Sequence, residues 1–256
     1  MKVTNILSLG AALALTTATS SAAISVISTG TGGTGTTANS WTVSFDATGA
    51  DKLVVVVSGE HGFNNNAGQV NTLEYDGVAL TAVPGAYRTA LTGGTDTLYN
   101  GIFYLDNPVT TSGLISVSAE TRGVVTAFAL TGTAAGAGNG AISLVGTRSV
   151  DLATSGSDSL VIASFGVGGN GNTGSTTGVT ADAPLTTVSN LTEGSNWDGH
   201  TTGQGLAPGA GTNSYSFTGG NESGGFVVAA EFLPIPEPSS LALLGVAGLA
   251  FLRRRR

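Results

Sequence analysis

Cysteine is absent from the 256-residue chain, and charged residues make up only 10% of it. Without thiols the protein has no disulfide bond, no thiolate metal site and no cysteine nucleophile. Exported proteins use disulfides but do not require them, so this absence does not locate the protein. Low charge indicates disorder only where apolar residues are also scarce, and here they reach 41%. We therefore expect a folded chain.

Positive charge is scarce between the two ends of the chain. Residues 24–233 contain 15 acidic residues, a net charge of −11, and their only basic residues are Lys52, Arg88, Arg122 and Arg148. A body this acidic repels phosphate backbones and anionic lipid headgroups, which argues against nucleic-acid binding. We expect no cofactor, and the acidic body leaves calcium as the one open alternative.

Glycine is abundant, at 40 residues, and Thr, Ser, Ala and Val fill much of the remainder. β-Branched and small residues interrupted by glycine are typical of many short strands joined by turns. The fold class is therefore predicted to be all-β, a β-sandwich with jelly-roll-like topology. Two glycine-rich stretches, residues 29–37 and 166–178, are predicted to be exposed loops. Strands are predicted at residues 41–46, 53–58, 72–75, 78–83, 98–106, 114–119, 124–130, 160–165, 214–217 and 226–232.

Three local patterns refine the prediction of the fold. Residues 53–57 are apolar on both faces, which indicates a central strand that is covered on two sides. Asp76-Gly77 accepts the positive φ angles of a tight turn and predicts a hairpin. The segment 47–54 recurs at residues 153–161, and each copy runs through a polar turn into a buried strand. This echo fits either two similar strands in one sandwich or a loose duplication.

The N-terminus has the layout of a secretory signal peptide. Lys2 supplies a positive charge, an apolar segment follows at residues 6–15, and small residues occupy positions 16–23. Ser21-Ala22-Ala23 matches the small-x-small cleavage pattern. We therefore predict a leader with a signal helix at residues 1–23, ahead of an extracellular β-sandwich domain at residues 24–233.

The C-terminus combines three features in a fixed order. Pro236-Glu237-Pro238 ends regular structure, residues 239–252 are an apolar run, and four arginines follow, Arg253, Arg254, Arg255 and Arg256. Arginines beside an apolar helix stay on the cytoplasmic side, which places the body outside and stops membrane transfer. The apolar run spans about 21 Å as a helix, at roughly 1.5 Å per residue. A bilayer core is about 30 Å thick, so a transient transmembrane helix is expected and not a permanent anchor.

This tail resembles the PEP-CTERM sorting signal of Gram-negative bacteria. The resemblance covers residues 234–256 and includes the Pro-Glu-Pro triplet, the short apolar helix and the arginine cluster. It implies recognition near the triplet by an exosortase, a membrane transpeptidase-like enzyme, and a link to extracellular polysaccharide or biofilm matrix. The tail is a processing address and does not specify what the body does. Residues 74–81 and 102–105 are loosely similar to sandwich modules of bacterial surface proteins, which implies no activity.

The two histidines are the main candidates for contact with a ligand. His61 follows a predicted strand, and His200 lies in a polar segment with Trp197 and Asp198. A metal site would form if the two loops bring together Glu60, His61, Asp198 and His200, but their spacing does not require it. We therefore predict no metal site.

Carbohydrate binding is the alternative function for the body. Trp197, with Tyr87 and Tyr99 from other polar segments, would supply the aromatic face that lectin-like sandwiches use. The competing interpretation is that Trp41 and Trp197 are partly buried packing residues.

An enzyme is not predicted, and no catalytic residue is proposed. The chain contains no Gly-x-Ser-x-Gly elbow, and its glutamates show no pairing signature for glycoside hydrolysis. The predicted function is an exported, non-enzymatic surface or extracellular-matrix protein that is sorted by its tail. Its expected partners are an exosortase-type enzyme, the inner membrane during sorting, and exopolysaccharide.

Overall fold

The structure is a computed structural model that describes residues 21–33, 40–61, 70–92, 96–108, 112–119, 123–168, 176–192, 198–220 and 224–236. Every regular element in these ranges is a β-strand, which confirms the all-β prediction. The predicted signal helix and the predicted helix of the tail lie outside the described residues. Ala22–Ile235 form one compact unit, and a second unit comprises the chain ends, of which the structure describes Ser21 and Pro236.

The strands of the body follow one another through short connections. They are β1 (Ser25–Gly33), β2 (Ser40–Asp46), β3 (Lys52–His61), β4 (Val70–Tyr75), β5 (Val78–Ala79), β6 (Thr81–Thr92), β7 (Asp96–Asp106), β8 (Ser112–Ala119), β9 (Gly123–Thr131), β10 (Gly140–Ile142), β11 (Ser149–Thr154), β12 (Leu160–Gly168), β13 (Thr180–Ala181), β14 (Thr186–Thr192), β15 (Asp198–Leu206), β16 (Gly211–Thr218) and β17 (Phe226–Phe232).

These strands form four antiparallel sheets. The first inner sheet has the order β1-β9-β3-β7-β6, and the second inner sheet has the order β10-β17-β12-β15-β14. The first outer sheet is β2-β8-β4-β5, and the second outer sheet is β11-β16-β13. A single sandwich has two sheets, so the predicted body is simpler than the structure, which stacks four.

Apolar side chains fill three layers between the sheets. Alternate residues of a strand point to opposite faces, so each inner sheet contributes to two layers. On β3, Leu53, Val55 and Val57 pack against the first outer sheet, whereas Val54 and Val56 pack against the second inner sheet. β12 likewise contributes to the layer between the inner sheets and to the layer under the second outer sheet. The prediction of a central strand covered on both faces is confirmed.

The two halves of the body repeat one strand order. The two inner sheets have equivalent strand orders. The order of the first is β1-β9-β3-β7-β6, and the equivalent strands of the second, in the same order, are β10-β17-β12-β15-β14. The outer sheets correspond in the same way, with β11, β16 and β13 in place of β2, β8 and β4. The echo in the sequence spans the equivalent connections β2 to β3 and β11 to β12. It therefore marks a loose duplication.

The predicted hairpin at Asp76-Gly77 is confirmed. Tyr75 pairs with Val78 across the turn, and Asp76 and Gly77 have φ angles of 49° and 80°. Asp tolerates this left-handed region better than most side chains, and glycine enters it without steric cost. The turn also closes on β8, because the Asp76 carboxylate accepts the Leu114 N–H at 2.8 Å.

The loop prediction for the glycine-rich stretch 29–37 is wrong for residues 29–33, which belong to β1, and residues 34–37 lie outside the described residues. The strand crosses close to β2, and glycine makes this approach possible. A Cβ atom on Gly32 would lie 2.4 Å from Val43 Cγ2, and one on Gly30 would lie 2.7 Å from Phe45 Cδ2. The loop prediction for 166–178 is wrong in the same way for residues 166–168, which end β12.

We expect Gly32→Ala to destabilise the body by about 1–3 kcal/mol, since the added methyl group overpacks the contact with Val43. Equilibrium urea unfolding measures the change. Gly156→Ala is the matched control, because a Cβ atom there meets no atom within 4 Å. The control should change the free energy of unfolding by less than about 0.5 kcal/mol. Equal effects of the two substitutions would contradict the close-approach explanation.

Candidate functional site

Residues 233–236, here called the exit segment, lead from the buried strand β17 directly into the tail. The Leu233 carbonyl accepts the Ala134 N–H at 2.8 Å, and the Ile235 N–H donates to the Gly132 carbonyl at 2.9 Å. Between these two bonds, Thr133 and Pro234 form an antiparallel bridge. Residues 132–134, which begin the linker between the two halves of the body, therefore hold Leu233, Pro234 and Ile235 of the exit segment.

The N-terminal end of the body pairs with the same segment. The Ala22 N–H donates to the Ile235 carbonyl at 3.0 Å. Residue 22, residues 132–134 and residues 233–235, which are distant in sequence, therefore meet after the end of β17. In the second unit, Ser21 and Pro236 form an antiparallel bridge with each other.

Carboxylates fix the linker that forms one side of this junction. The Asp51 carboxylate accepts the Gly132 N–H at 2.6 Å, and the Asp106 carboxylate accepts the Gly136 N–H at 2.8 Å. Asp106 also pairs with the ammonium of Lys52, a side chain with 0% exposure. Gly132 has a φ of 75°, and a Cβ atom there would lie 2.6 Å from the Ala23 carbonyl oxygen, so only glycine fits.

A family model described as the PEP-CTERM protein-sorting motif matches residues 234–256. These residues are a PEP-CTERM sorting motif. The resemblance predicted from the sequence is therefore confirmed, and it covers the tail and not the body. The sorting motif implies export through the cell envelope of a Gram-negative bacterium and processing by an exosortase-type enzyme. No curated protein and no solved structure matches the chain.

The structure describes the start of the sorting motif, namely Pro234, Ile235 and Pro236. The other predicted sorting residues, Glu237 and Pro238, and the four arginines at 253–256 lie outside the described residues. Among the described residues, no helix has the length and hydropathy that a membrane span requires.

Two of the four predicted ligand residues, His61 and Asp198, lie at strand ends opposite the exit segment. His61 ends β3, where its backbone pairs with Thr97, and Asp198 begins β15, where its backbone pairs with Gly168. Both positions lie at the same end of the stacked inner sheets. Trp197 lies outside the described residues.

His200 lies in the interior, with 0% exposure. Its Nε2 atom is 2.7 Å from Thr126 Oγ1, which is itself 2.7 Å from Ser189 Oγ. Thr126 belongs to the first half of the body, and His200 and Ser189 belong to the second. The imidazole therefore joins the two halves, and it is not presented to a ligand on the surface.

Further polar side chains lie beside His200 between the inner sheets. We call the set the polar seam: Ser58, Asn100, Thr126, Ser164, Ser189 and His200. The Asn100 side chain donates to the carbonyls of Ser164 and Phe226 at 3.1 and 3.3 Å, again across the two halves. Gly166 makes room for it, since a Cβ atom there would lie 2.7 Å from Asn100 Nδ2. The sequence gives no signal for this seam, because its residues come singly from separate strands.

We expect His200 to make the stability of the body depend on pH. Burial lowers the pKa of His200 from 6.5 to about 3. Between these two values the unfolded state binds more protons than the folded state, so the stability rises with pH across this window. The His200 contribution should make the free energy of unfolding about 2 kcal/mol lower at pH 5 than at pH 7.

Urea unfolding at the two pH values, for the wild type and for His200→Gln, isolates this contribution. The variant has no imidazole to titrate, so its profile should be flatter by the same amount. Parallel profiles for the two proteins would contradict a buried, neutral His200.

Of the two tyrosines suggested for a sugar-binding face, Tyr99 lies in the core, so the prediction is wrong for that residue, whereas Tyr87 is half-buried. Tyr99 has 0% exposure. The Tyr87 hydroxyl accepts the Val70 N–H at 3.1 Å, and its ring packs edge-on against Phe103 at 5.4 Å between centroids. Burial raises the pKa of Tyr87. Side chains alternate between the two faces of β6 and β7, and this alternation turns the rings of Tyr87 and Tyr99 towards the layer under the first outer sheet. Trp41 is half-buried and packs against the same layer.

Buried carboxylates in the body have structural partners. Glu231, with 0% exposure, accepts the Ser155 N–H at 2.6 Å and lies 3.4 Å from Asn139 Nδ2. It therefore holds the turn before β12 to the loop before β10. Within the ranges that the structure describes, no three His, Asp or Glu side chains are grouped to hold a metal ion.

Proposed function

We propose that the protein is a non-enzymatic component of the cell surface or extracellular matrix, associated with exopolysaccharide after sorting. The observation that carries this proposal is the junction at the exit segment. The sorting motif begins at Pro234, which still pairs with Thr133 of the large β-body, so no spacer separates the two. In the described body, the buried ionisable groups Lys52, His200 and Glu231 hold strands and turns together. The body is therefore the part of the protein that the sorting motif delivers.

The outer faces of the body support an association with hydrated polysaccharide. Both outer sheets present hydroxyl side chains in cross-strand pairs, which offer hydrogen bonds to a hydrated glycan. On the first outer sheet Ser40 and Thr42 pair with Ser118 and Ser116. On the second outer sheet Ser149 pairs with Ser216, whose hydroxyl donates to the Asp182 carboxylate.

We also propose a role for each chain end and a sandwich type for the body. Residues 1–23 act as a signal peptide, and the tail holds the precursor transiently in the inner membrane with its arginines on the cytoplasmic side. Each half of the body is a jelly-roll-like sandwich. The interleaved strand orders support this topology, because the chain crosses repeatedly between the inner and the outer sheet of each half, with β6-β7 and β14-β15 as neighbouring strands of the inner sheets.

Replacing Pro236, Glu237 and Pro238 by alanine should leave export intact and prevent removal of the tail, because the processing enzyme loses its recognition triplet. Intact-mass measurement of the exported protein reads the result directly. Ser239→Ala with Ser240→Ala is the control, since it keeps the triplet, the apolar run and the arginines. Normal tail removal in the triple variant would contradict the sorting role of the triplet.

A carbohydrate-binding module is the second candidate function. The observation that favours it is the shared position of His61 and Asp198 at one end of the inner sheets, with Trp197 next to Asp198 in the sequence. An aromatic side chain beside polar groups is the usual composition of a sugar site.

Pull-down with the host's exopolysaccharide, with the wild type compared with a Trp197 variant, distinguishes a dedicated sugar site from a general association of the protein surface. If Trp197 is a binding anchor, Trp197→Ala should weaken binding by about tenfold or more. Trp41→Phe is the control, because Trp41 packs against the core and phenylalanine retains most of that contact. Equal binding by both variants would exclude Trp197 as an anchor, and no binding by the wild type would exclude the module.

A further inference from the structure

Five buried side chains between the inner sheets end in a polar atom that has no hydrogen-bond partner in the part of the chain that the structure describes. These atoms are Ser58 Oγ, Asn100 Oδ1, Ser164 Oγ, His200 Nδ1 and Thr202 Oγ1. Each of the five residues has 0% exposure, so bulk solvent does not reach it. Native proteins leave few buried polar groups without a partner, because such a group loses its bonds to water and gains none in return. The set therefore indicates a bound ligand.

The strand register places these atoms close together. Ser58 on β3 pairs with Asn100 on β7, and Ser164 on β12 pairs with Thr202 on β15. Directly opposed residues of antiparallel strands have Cβ atoms about 4.5–5.5 Å apart. The two pairs also meet across the layer, because the Asn100 side chain donates to the Ser164 carbonyl at 3.1 Å.

His200 belongs to the same group. It pairs with Gly166, which follows Ser164 by two residues on β12, and its side chain reaches the first half of the body. A Cβ atom on Gly166 would lie 2.8 Å from Ser58 Oγ and 2.7 Å from Asn100 Nδ2. The two inner sheets thus meet at Gly166, and the five atoms lie around this contact.

Turning over the Asn100 amide does not remove its unpartnered atom. Asn100 Nδ2 donates to the carbonyls of Ser164 and Phe226 at 3.1 and 3.3 Å. In the opposite orientation Oδ1 would face these two oxygens, and neither of them has a hydrogen to donate. Asn100 Oδ1 therefore requires a donor from a ligand.

We propose that these five atoms, here called the hydration site, bind internal water between the two halves of the body. Water both donates and accepts hydrogen bonds, so it suits Asn100 Oδ1, which only accepts, and the hydroxyl groups, which also donate. A metal cation cannot accept a hydrogen bond and finds no carboxylate among the five side chains, and an anion is repelled by Asn100 Oδ1. A buried water makes about three hydrogen bonds, so five atoms require two molecules or more.

Small side chains leave room for water at this site. Ser58, Ser164 and Thr202 are short, whereas stacked sheets lie about 10 Å apart. Elsewhere in the same layer, large rings such as those of Phe128 and Phe226 fill this distance. Only a small ligand fits beside the short side chains, and water is the smallest that both donates and accepts.

The hydration site contributes to the contact between the halves. Ser58 and Asn100 belong to the first half, and Ser164, His200 and Thr202 belong to the second. Each water that bridges the two groups adds hydrogen bonds across the contact, which supplements the direct bonds of the polar seam.

A high-resolution crystal structure of the exported protein tests the proposal directly. We expect two or more ordered waters at hydrogen-bond distance, about 2.7–3.2 Å, from the five atoms. A structure with no water at these atoms would overturn the proposal. This measurement uses the wild type, so it does not depend on the folding of a variant.

The substitution Thr202→Val tests the same site by the sign of its effect on stability. Valine keeps the shape of threonine and removes the hydroxyl, so a water-bonded hydroxyl is lost and the folding equilibrium constant should fall by about fivefold. A dry hydroxyl is instead unfavourable when buried, so its removal would raise the constant. Equilibrium urea unfolding measures the change, and a constant that is unaltered or higher would overturn the proposal. Thr42→Val is the matched control, because Thr42 is exposed on β2 and its substitution should change the constant by less than about twofold.

Discussion

The contact between the two inner sheets is the constraint on which the rest of the body depends. Each inner sheet is apolar on both faces, so neither half of the chain can leave its inner face open to water. Valines and isoleucine of β3 and β12, with Phe128 and Phe232 from neighbouring strands, close the space between the halves. Full burial of such side chains stabilises by about 1.5–3 kcal/mol each. The outer sheets then complete the burial from either side.

The polar seam gives this apolar contact a defined alignment. An apolar layer alone tolerates sliding, whereas Asn100 reaches two carbonyls of the other half and Thr126 meets His200. A shift of one sheet against the other would leave these buried groups without partners, which costs about 1–3 kcal/mol for each group. The seam therefore selects one packing of the duplicated halves, and it gives the buried His200 a structural role.

The sequence predicts strands where alternation or an apolar run is strong, as at β3, β8 and β17, and it predicts the hairpin at Asp76-Gly77 from backbone chemistry. It does not predict β1 or β15, whose glycines look like loop residues until the strands that they approach are known. The stacking of four sheets cannot be predicted from the sequence either, because a strand that is apolar on both faces does not show which sheet covers its second face. At the candidate site, the sorting motif of the tail could be predicted from the sequence. The junction of Ala22, Gly132 and Ile235 could not, because it joins positions that are distant in the sequence and share no local pattern.

The attachment of the tail to β17 also determines how the body bears load. β17 is an interior strand of the second inner sheet, antiparallel to β10 on one side and β12 on the other. A pull on the tail runs along the axis of this strand, so its cross-strand hydrogen bonds are strained together and not opened one after another. A protein held by this end in flowing water would thus resist extraction through a strand in which every residue is buried, and mechanical strength comes from the same residues that form the core.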